Sequence, residues 1–277
     1  MANTNNNLTK VVAQLTKHLS PRNKDIISRR FGLKSGKKET LESIGKSYGI
    51  TRERVRQIEE FSINQLAKAV DGNSDVAKYV AQSKAVVARN GGVMKETDVF
   101  QEINGNTKEN VANASLVFVL TLAGEPARYP ENESFHTFWA VDRTSLNAFV
   151  ASVDTMVKGL EKSKTLVPEA ELTAFAEQVG VANLDLEAVL ATSKQLSRNV
   201  FGEVGLAIWP EVKPKGVRDK AYLVLKREQD PKHFTDIAKL INSIGFSDKK
   251  ANIQTVHNEL IKDARFVLVG RGMYGLS

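Results

Sequence analysis

The stretch richest in chemistry is Thr51-Arg52-Glu53-Arg54-Val55-Arg56-Gln57-Ile58-Glu59-Glu60. Wound into a helix, Val55, Ile58 and Leu66, with Ser62 between them, fall on one stripe fit for burial. Arg52, Glu53, Arg56, Gln57 and Glu60 fall on the opposite face, and every one of them can hydrogen-bond. Arginine forks onto guanine O6 and N7, glutamine onto adenine N6 and N7, and glutamate accepts from cytosine N4. The face suits reading bases in a duplex. It suits plain solvation as well, which is what charged helix faces commonly serve.

A second basic set lies near the C-terminal end. Lys249, Lys250 and Asn252 sit where a helix would begin, with Gln254 and Thr255 next, and Arg271 stands in Gly270-Arg271-Gly272. These are sensible phosphate and groove contacts, or ordinary solvated residues. Other chemistries find no support. The chain has 277 residues and no cysteine, so disulfides, thiol catalysis and cysteine-bound zinc are excluded. The four histidines, His18, His136, His233 and His257, are scattered. His233 reads as a capping or packing residue. No Gly-rich loop runs into Lys-Ser/Thr after a strand, and no carboxylate pair stands out. The expectation is no enzyme, no catalytic residue, no metal, no cofactor and no small-molecule ligand.

A reading face works only if other elements hold it. Thr51 caps its helix and is counted, with Arg52, Glu53, Arg54, Arg56 and Gln57, among the candidate DNA contacts. Just before it, Thr40 caps a short helix with Leu41, Ile44 and Tyr48 inward, and Gly49 ends that helix. Two helices joined this tightly predict a helix-turn-helix. Ser20-Pro21 opens an earlier helix carrying Ile26, Ile27 and Phe31 and stopping at Gly32. Leu8, Val11, Val12, Leu15 and Leu19 mark one more. The Asn-rich start, residues 1–7, reads as disordered.

The remaining chain predicts one pattern three times: three helices, then a strand-turn-strand. In the first copy Val76, Tyr79 and Val87 mark helix one, Val99 and Ile103 helix two, and Thr107 caps helix three. Ala127 to Arg143 then alternates around Pro130-Glu131-Asn132. In the second copy Pro168 opens helix two, Leu186 to Leu196 marks helix three, and Val200 to Trp209 is the β segment. In the third copy Arg265–Val269 pairs with Met273–Leu276. Trp139, Trp209 and Tyr274 share one slot in the closing strands and read as hairpin anchors. The predicted fold class is mainly α with small β hairpins: an N-terminal helix-turn-helix followed by three tandem winged-helix-like domains. Boundaries fall at 8–72, 73–143, 144–213 and 214–277, with Asp71-Gly72-Asn73 and Thr144 as seams.

Charge follows those blocks. The whole chain carries +7. Residues 1–72 hold 14 Lys+Arg against 7 Asp+Glu, and residues 214–277 hold 12 against 7. Residues 73–143 hold 7 against 9, and residues 144–213 hold 6 against 9. Basic ends favour an anionic partner, and an acidic middle argues against one. No apolar run of about 18 residues predicts a membrane span. No apolar stretch at the start reads as a secretion signal. The expectation is a soluble, intracellular protein.

Leu19-Ser20-Pro21-Arg22 through Arg29-Arg30-Phe31-Gly32-Leu33, Glu39-Thr40-Leu41-Glu42-Ser43-Ile44-Gly45-Lys46, and Gly49-Ile50-Thr51-Arg52-Glu53-Arg54-Val55-Arg56-Gln57-Ile58-Glu59 resemble region 4 of primary sigma-70-type sigma factors. The likeness covers about residues 8–70. It implies a helix in the major groove at the upstream promoter element. Arg52, Glu53 and Gln57 would reach base edges, and Arg54 and Arg56 would hold phosphates. It also implies a contact with the flap of RNA polymerase around Ile26, Ile27, Phe31 and Leu33, some of which must be core. Two departures stand out. Glu60 to Leu66 lacks the family's basic tail, and no counterpart of the family's promoter-melting region is present.

Residues 216–276 resemble a HARE-type helix-turn-helix, the winged-helix class shared with the polymerase delta subunit. Lys220-Ala221-Tyr222-Leu223-Val224-Leu225, His233-Phe234-Thr235-Asp236-Ile237-Ala238 and Asp263 to Leu276 carry that likeness. Together these imply a DNA-binding transcription regulator of bacterial type, cytoplasmic and nucleoid-associated, that engages double-stranded DNA and RNA polymerase. An accessory polymerase subunit acting mainly by protein contacts is the alternative. A specificity module for a nucleic-acid-modifying enzyme on another chain is a third reading.

Overall fold

A computed structural model describes residues 2–70, 72–181 and 183–277, and side chains from Asn7 onward. Met1, and Asp71 of the expected boundary, lie outside the described residues. The chain divides into two compact units, Met1–Ala151 and Ser152–Ser277. The fold is mainly helical with small antiparallel sheets.

The first unit opens with α1 (Ala2–Leu15), α2 (Pro21–Phe31), α3 (Leu41–Tyr48) and α4 (Arg52–Val70). The backbone is therefore helical from Ala2, across the start read as disordered. Then come α5 (Ser74–Arg89), β1 (Val93–Lys95), α6 (Glu96–Asn104), α7 (Val111–Ala123), β2 (Ala127–Tyr129) and β3 (Phe138–Ala140). Asn110, not Thr107, caps α7 by accepting from the Asn113 N–H. Helix α7 is buried along almost its whole length, as an all-round apolar sequence requires.

That burial defines the unit. Leu8, Val12, Ile27, Leu33, Leu66 and Val70 share one apolar core with Val76, Val87, Val99, Leu116 and Phe118. Residues on both sides of the boundary expected at 72/73 therefore enter the same core. A second, smaller core of Ile26, Ile44 and Val55 lies within the helix-turn-helix itself.

Helix α8 spans Arg143–Ser163, so the seam expected at Thr144 falls in its first turn. The second unit continues with β4 (Val167–Pro168), α9 (Leu172–Gln178), α10 (Leu186–Thr192), β5 (Leu196–Arg198) and β6 (Glu203–Leu206). Leu196, expected in a helix, lies in β5. The Ser193 side chain turns the chain out of α10 by accepting from the N–H groups of Gln195 and Leu196. Then follow α11 (Val217–Glu228), β7 (Lys232–His233), α12 (Phe234–Ile244), α13 (Ile253–Lys262), β8 (Phe266–Gly270) and β9 (Met273–Leu276). Ala221, Val224, Ile237, Ile241, Val256 and Leu260 form the core of this last segment.

One order recurs three times along the chain: helix, short strand, helix, helix, hairpin. Each hairpin takes the short strand into a three-stranded antiparallel sheet, with the last strand in the centre: β1-β3-β2, β4-β6-β5 and β7-β9-β8. The short first strands, two or three residues each, have too few positions to show a period of two. They are absent from the sequence-based expectation, and Pro168 lies in β4 rather than opening a helix. Among the described residues, no helix is long and apolar enough to cross a membrane.

Candidate nucleic-acid interface

Local chemistry fixes the turn between α3 and α4. Thr40 caps α3 by accepting from the Ser43 N–H at 3.1 Å. Gly49 ends it at φ 64°, a left-handed conformation that a side chain would strain. The Ile50 N–H then returns to the Gly45 carbonyl at 3.0 Å, and the Thr51 hydroxyl accepts from the Arg54 N–H at 3.2 Å. Thr51, expected among the contact residues, thus serves the helix start.

Buried side chains and ion pairs hold α4 in place. Val55, Ser62 and Leu66 are fully buried and Ile58 is half-buried, as the periodicity predicts. Arg29 of α2 forks onto Glu39 at 2.8 and 2.9 Å and donates to Ser47 at 2.7 Å. Arg30 reaches Glu59 of α4 at 2.8 Å. The Tyr48 hydroxyl donates to Asp25 at 2.9 Å. Burial alone would raise the Asp25 carboxyl, but hydrogen bonds from Tyr48 and Lys34 bring it below its usual range. These pairs join residues far apart in sequence, so spacing carried no signal of them.

Thr51, Arg52, Glu53, Arg54, Arg56, Gln57 and Glu60 are all exposed, as expected. The face is internally paired. Arg56 donates to both Glu53 oxygens, the closest at 2.8 Å, and to Glu60 at 3.1 Å. The hydrogen bond from Arg56 holds the Glu53 carboxyl below its usual range. Arg54 donates to the Gln57 side-chain oxygen Oε1 at 3.0 Å. Arg52 makes no hydrogen bond or ion pair among the described residues. Arg54 also borders a groove of about 360 Å³ shared with Arg22, Asn23, Gln57, Ile58 and Phe61. Arg22, at the start of α2, is a cation beside this face that sequence reading did not select.

The residues that the resemblance offers for a polymerase contact are mostly core. Ile26 and Ile27 are fully buried, and Leu33 is nearly so. Phe31 is half-buried against Phe118 of α7, ring centroids 5.0 Å apart. Ile26, Ile27 and Leu33 are core and present no surface, whereas Phe31 keeps part of its surface exposed. The departure at Glu60 to Leu66 has a matching cause. Here α4 runs on to Val70, and Ser62, Leu66 and Val70 turn inward, two of them into the core shared with α7.

In the second unit, α13 begins at Ile253, so Lys249 and Lys250 lie in the exposed loop before it rather than in its first turn. Asn252 is its cap, accepting from the N–H groups of Gln254 and Thr255 at 2.8 and 3.4 Å. Gln254 is exposed and donates to Asn258 at 3.3 Å. Arg271 stands exposed at the β8–β9 turn. His233 caps α12. Trp139 is a buried hairpin residue whose Nε1–H donates to Glu96 at 3.1 Å. Tyr274 is buried too, but Trp209 lies beyond the end of β6 and is half-exposed.

Known proteins match the N-terminal segment that carries this face. Residues 17–68 match the family model for sigma-70, region 4. The RNA polymerase sigma factor SigA of Nostoc sp. is 42% identical over 62 residues, which is 22% of this chain and 16% of that protein. The RNA polymerase principal sigma factor HrdD of Streptomyces coelicolor is 46% identical over 50 residues, 18% of this chain and 15% of that protein. SigA of Clostridium acetobutylicum is 46% identical over 48 residues, 17% of this chain and 13% of that protein. The N-terminal segment that carries the exposed face of α4 is therefore similar to region 4 of sigma-70 factors, over a small part of each relative's length.

Proposed function

We propose that the chain is a DNA-binding transcription regulator that reads a promoter-like element through α4 and works together with RNA polymerase. One observation carries the proposal: Arg52, Glu53, Arg56 and Gln57 are exposed on one helix, inside the segment similar to sigma-70 region 4. Arg52, Glu53 and Gln57 reach base edges, and Arg54, Arg56 and Arg22 hold phosphates. The pairing of Arg56 with Glu53 and Glu60 is no obstacle, since exposed pairs are worth about 0–1 kcal/mol and a phosphate can replace one.

The repeated helix–strand–helix–helix–hairpin order supports reading the rest as three winged-helix-like domains, the last of HARE type. Lys249, Lys250 and Arg271 of that last domain add sequence-independent phosphate contacts, and Gln254 a groove contact. Two linked duplex contacts raise avidity when both engage one duplex. We assign no catalytic role, and place the protein on nucleoid DNA in the cytoplasm.

The test is selection of bound duplexes from a random pool, with and without RNA polymerase. Recovery of one motif supports the proposal; no duplex retained at low salt ends it. The second reading, an accessory polymerase subunit acting by protein contacts, is favoured by the relatives being polymerase sigma factors. Co-purification with polymerase that survives nuclease treatment, without motif recovery, would select it. Its surface would have to be one other than Ile26, Ile27 and Leu33.

A further inference from the structure

The second unit contains a cavity of about 720 Å³ that plays no part in the duplex contacts above. That is the size of a small-molecule site. Three kinds of chemistry meet in it. Trp209 supplies an aromatic wall and is half-exposed there. Its ring folds back over β6 because residue 205 is glycine: a Cβ at that position would come within 2.9 Å of Trp209 Cε3. Lys164, Lys226 and Arg227 supply three exposed cations. Glu161, Glu203 and Glu211 supply three carboxylates.

The cations are not spent on the carboxylates. None of the three cations has a carboxylate within 4.0 Å among the described residues. Lys164 sits at φ 55°, just past the end of α8, where glycine is usual. Arg227 lies over the Phe201 ring, 4.4 Å from its centroid. Glu203 is held in place by the nearly buried Asn199, whose amide donates to the carboxylate at 2.8 Å and to the Glu211 carbonyl at 3.2 Å. A flat aromatic surface, one fixed carboxylate and three cations free of ion pairs call for one ligand with a π-face, an N–H edge and a polyanionic tail. We propose that this cavity binds a purine nucleotide carrying a phosphate chain. The base stacks on Trp209 and donates to Glu203, and the phosphates lie among Lys164, Lys226 and Arg227.

Tryptophan fluorescence of the full chain tests this directly. The chain has two tryptophans, and Trp139 is only 1% exposed, so quenching by a stacked base reports on Trp209. GTP or ATP is expected to quench saturably, with a Kd below about 1 mM. Inorganic triphosphate alone is expected to leave the signal unchanged. The double substitution Lys226→Ala with Arg227→Ala is expected to weaken nucleotide binding about tenfold or more, since it removes charge-assisted contacts. Glu203→Gln is expected to change the preference between GTP and ATP. Circular dichroism checks that each variant folds. Absence of nucleotide binding by both fluorescence and equilibrium dialysis overturns the proposal. So does an affinity indifferent to the double substitution in folded protein. A single-stranded oligonucleotide that quenches Trp209 more tightly than either mononucleotide overturns it too, by assigning the site to a strand. Loss of duplex binding through α4 would leave these readouts unmoved.

Discussion

Phe31, the last residue of α2, meets Phe118 of α7 edge to face, with 5.0 Å between ring centroids and 69° between ring planes. The contact ties the helix-turn-helix to the helices that follow it. Phe118 is fully buried, and the core around it draws on α1, α2, α4, α5 and α7. Phe118→Ala should therefore cost about 3–5 kcal/mol, and the loss should extend to the segment carrying the reading face. Denaturant unfolding followed by far-UV dichroism and by duplex binding checks this. Binding that persists through the transition weakened by the substitution would mean that residues 8–70 hold together without α7.

Arg52 is exposed and makes no hydrogen bond or ion pair among the described residues, so its removal should barely touch stability, within about 0.5 kcal/mol. Arg52→Ala should instead lower discrimination at one base position by about 1–3 kcal/mol. Competition binding with single-base variants of the selected site measures it. A uniform loss across all variants would place Arg52 on the backbone instead.

How far these sites were legible in the sequence depended on range. The face of α4 was legible because it needs only a local helix period and a cap at Thr51, and both lie within one short segment. Glu39 and Glu59 were invisible as partners of Arg29 and Arg30, since tertiary packing alone brings them together. The same holds for Ile27 and Leu33. Their apolar character was plain, but a solvent-facing docking patch and a core look alike until α7 is placed. Trp209 was misplaced for another reason: β6 ends at Leu206, and the ring folds back through a turn that alternation does not encode.

Lys249 stands exposed in the loop before α13. Lys249→Ala should weaken duplex binding to a similar degree on all sequences and reduce the slope of log affinity against log salt by about 1. Titrations at several salt concentrations, with matched and scrambled duplexes, decide it. An unchanged slope would remove this loop from the interface and leave α4 as the contact with support.

Asp263 and Arg265 give a pH-dependent prediction with a defined sign. Arg265 Nη2 donates to Asp263 at 2.7 Å and to Asp219 at 3.0 Å, while its own N–H donates to Asp263 at 3.0 Å. The hydrogen bond from the Arg265 side chain is the main reason that the Asp263 carboxyl falls from 3.8 to about 2. The folded value lies below the unfolded one. The stabilisation is therefore complete above the unfolded value and is lost as pH falls through the folded one. Asp263→Asn should cost the second unit about 1.5–3 kcal/mol at neutral pH, the usual worth of hydrogen bonds to a charged group. That difference should shrink between about pH 5 and pH 2, as the native carboxylate itself becomes protonated. Denaturant unfolding of the two proteins at neutral, mildly acidic and strongly acidic pH gives the comparison. A difference that stays constant across the range would mean that the substitution acts through packing beside Tyr222, over which Arg265 lies at 5.0 Å, rather than through charge.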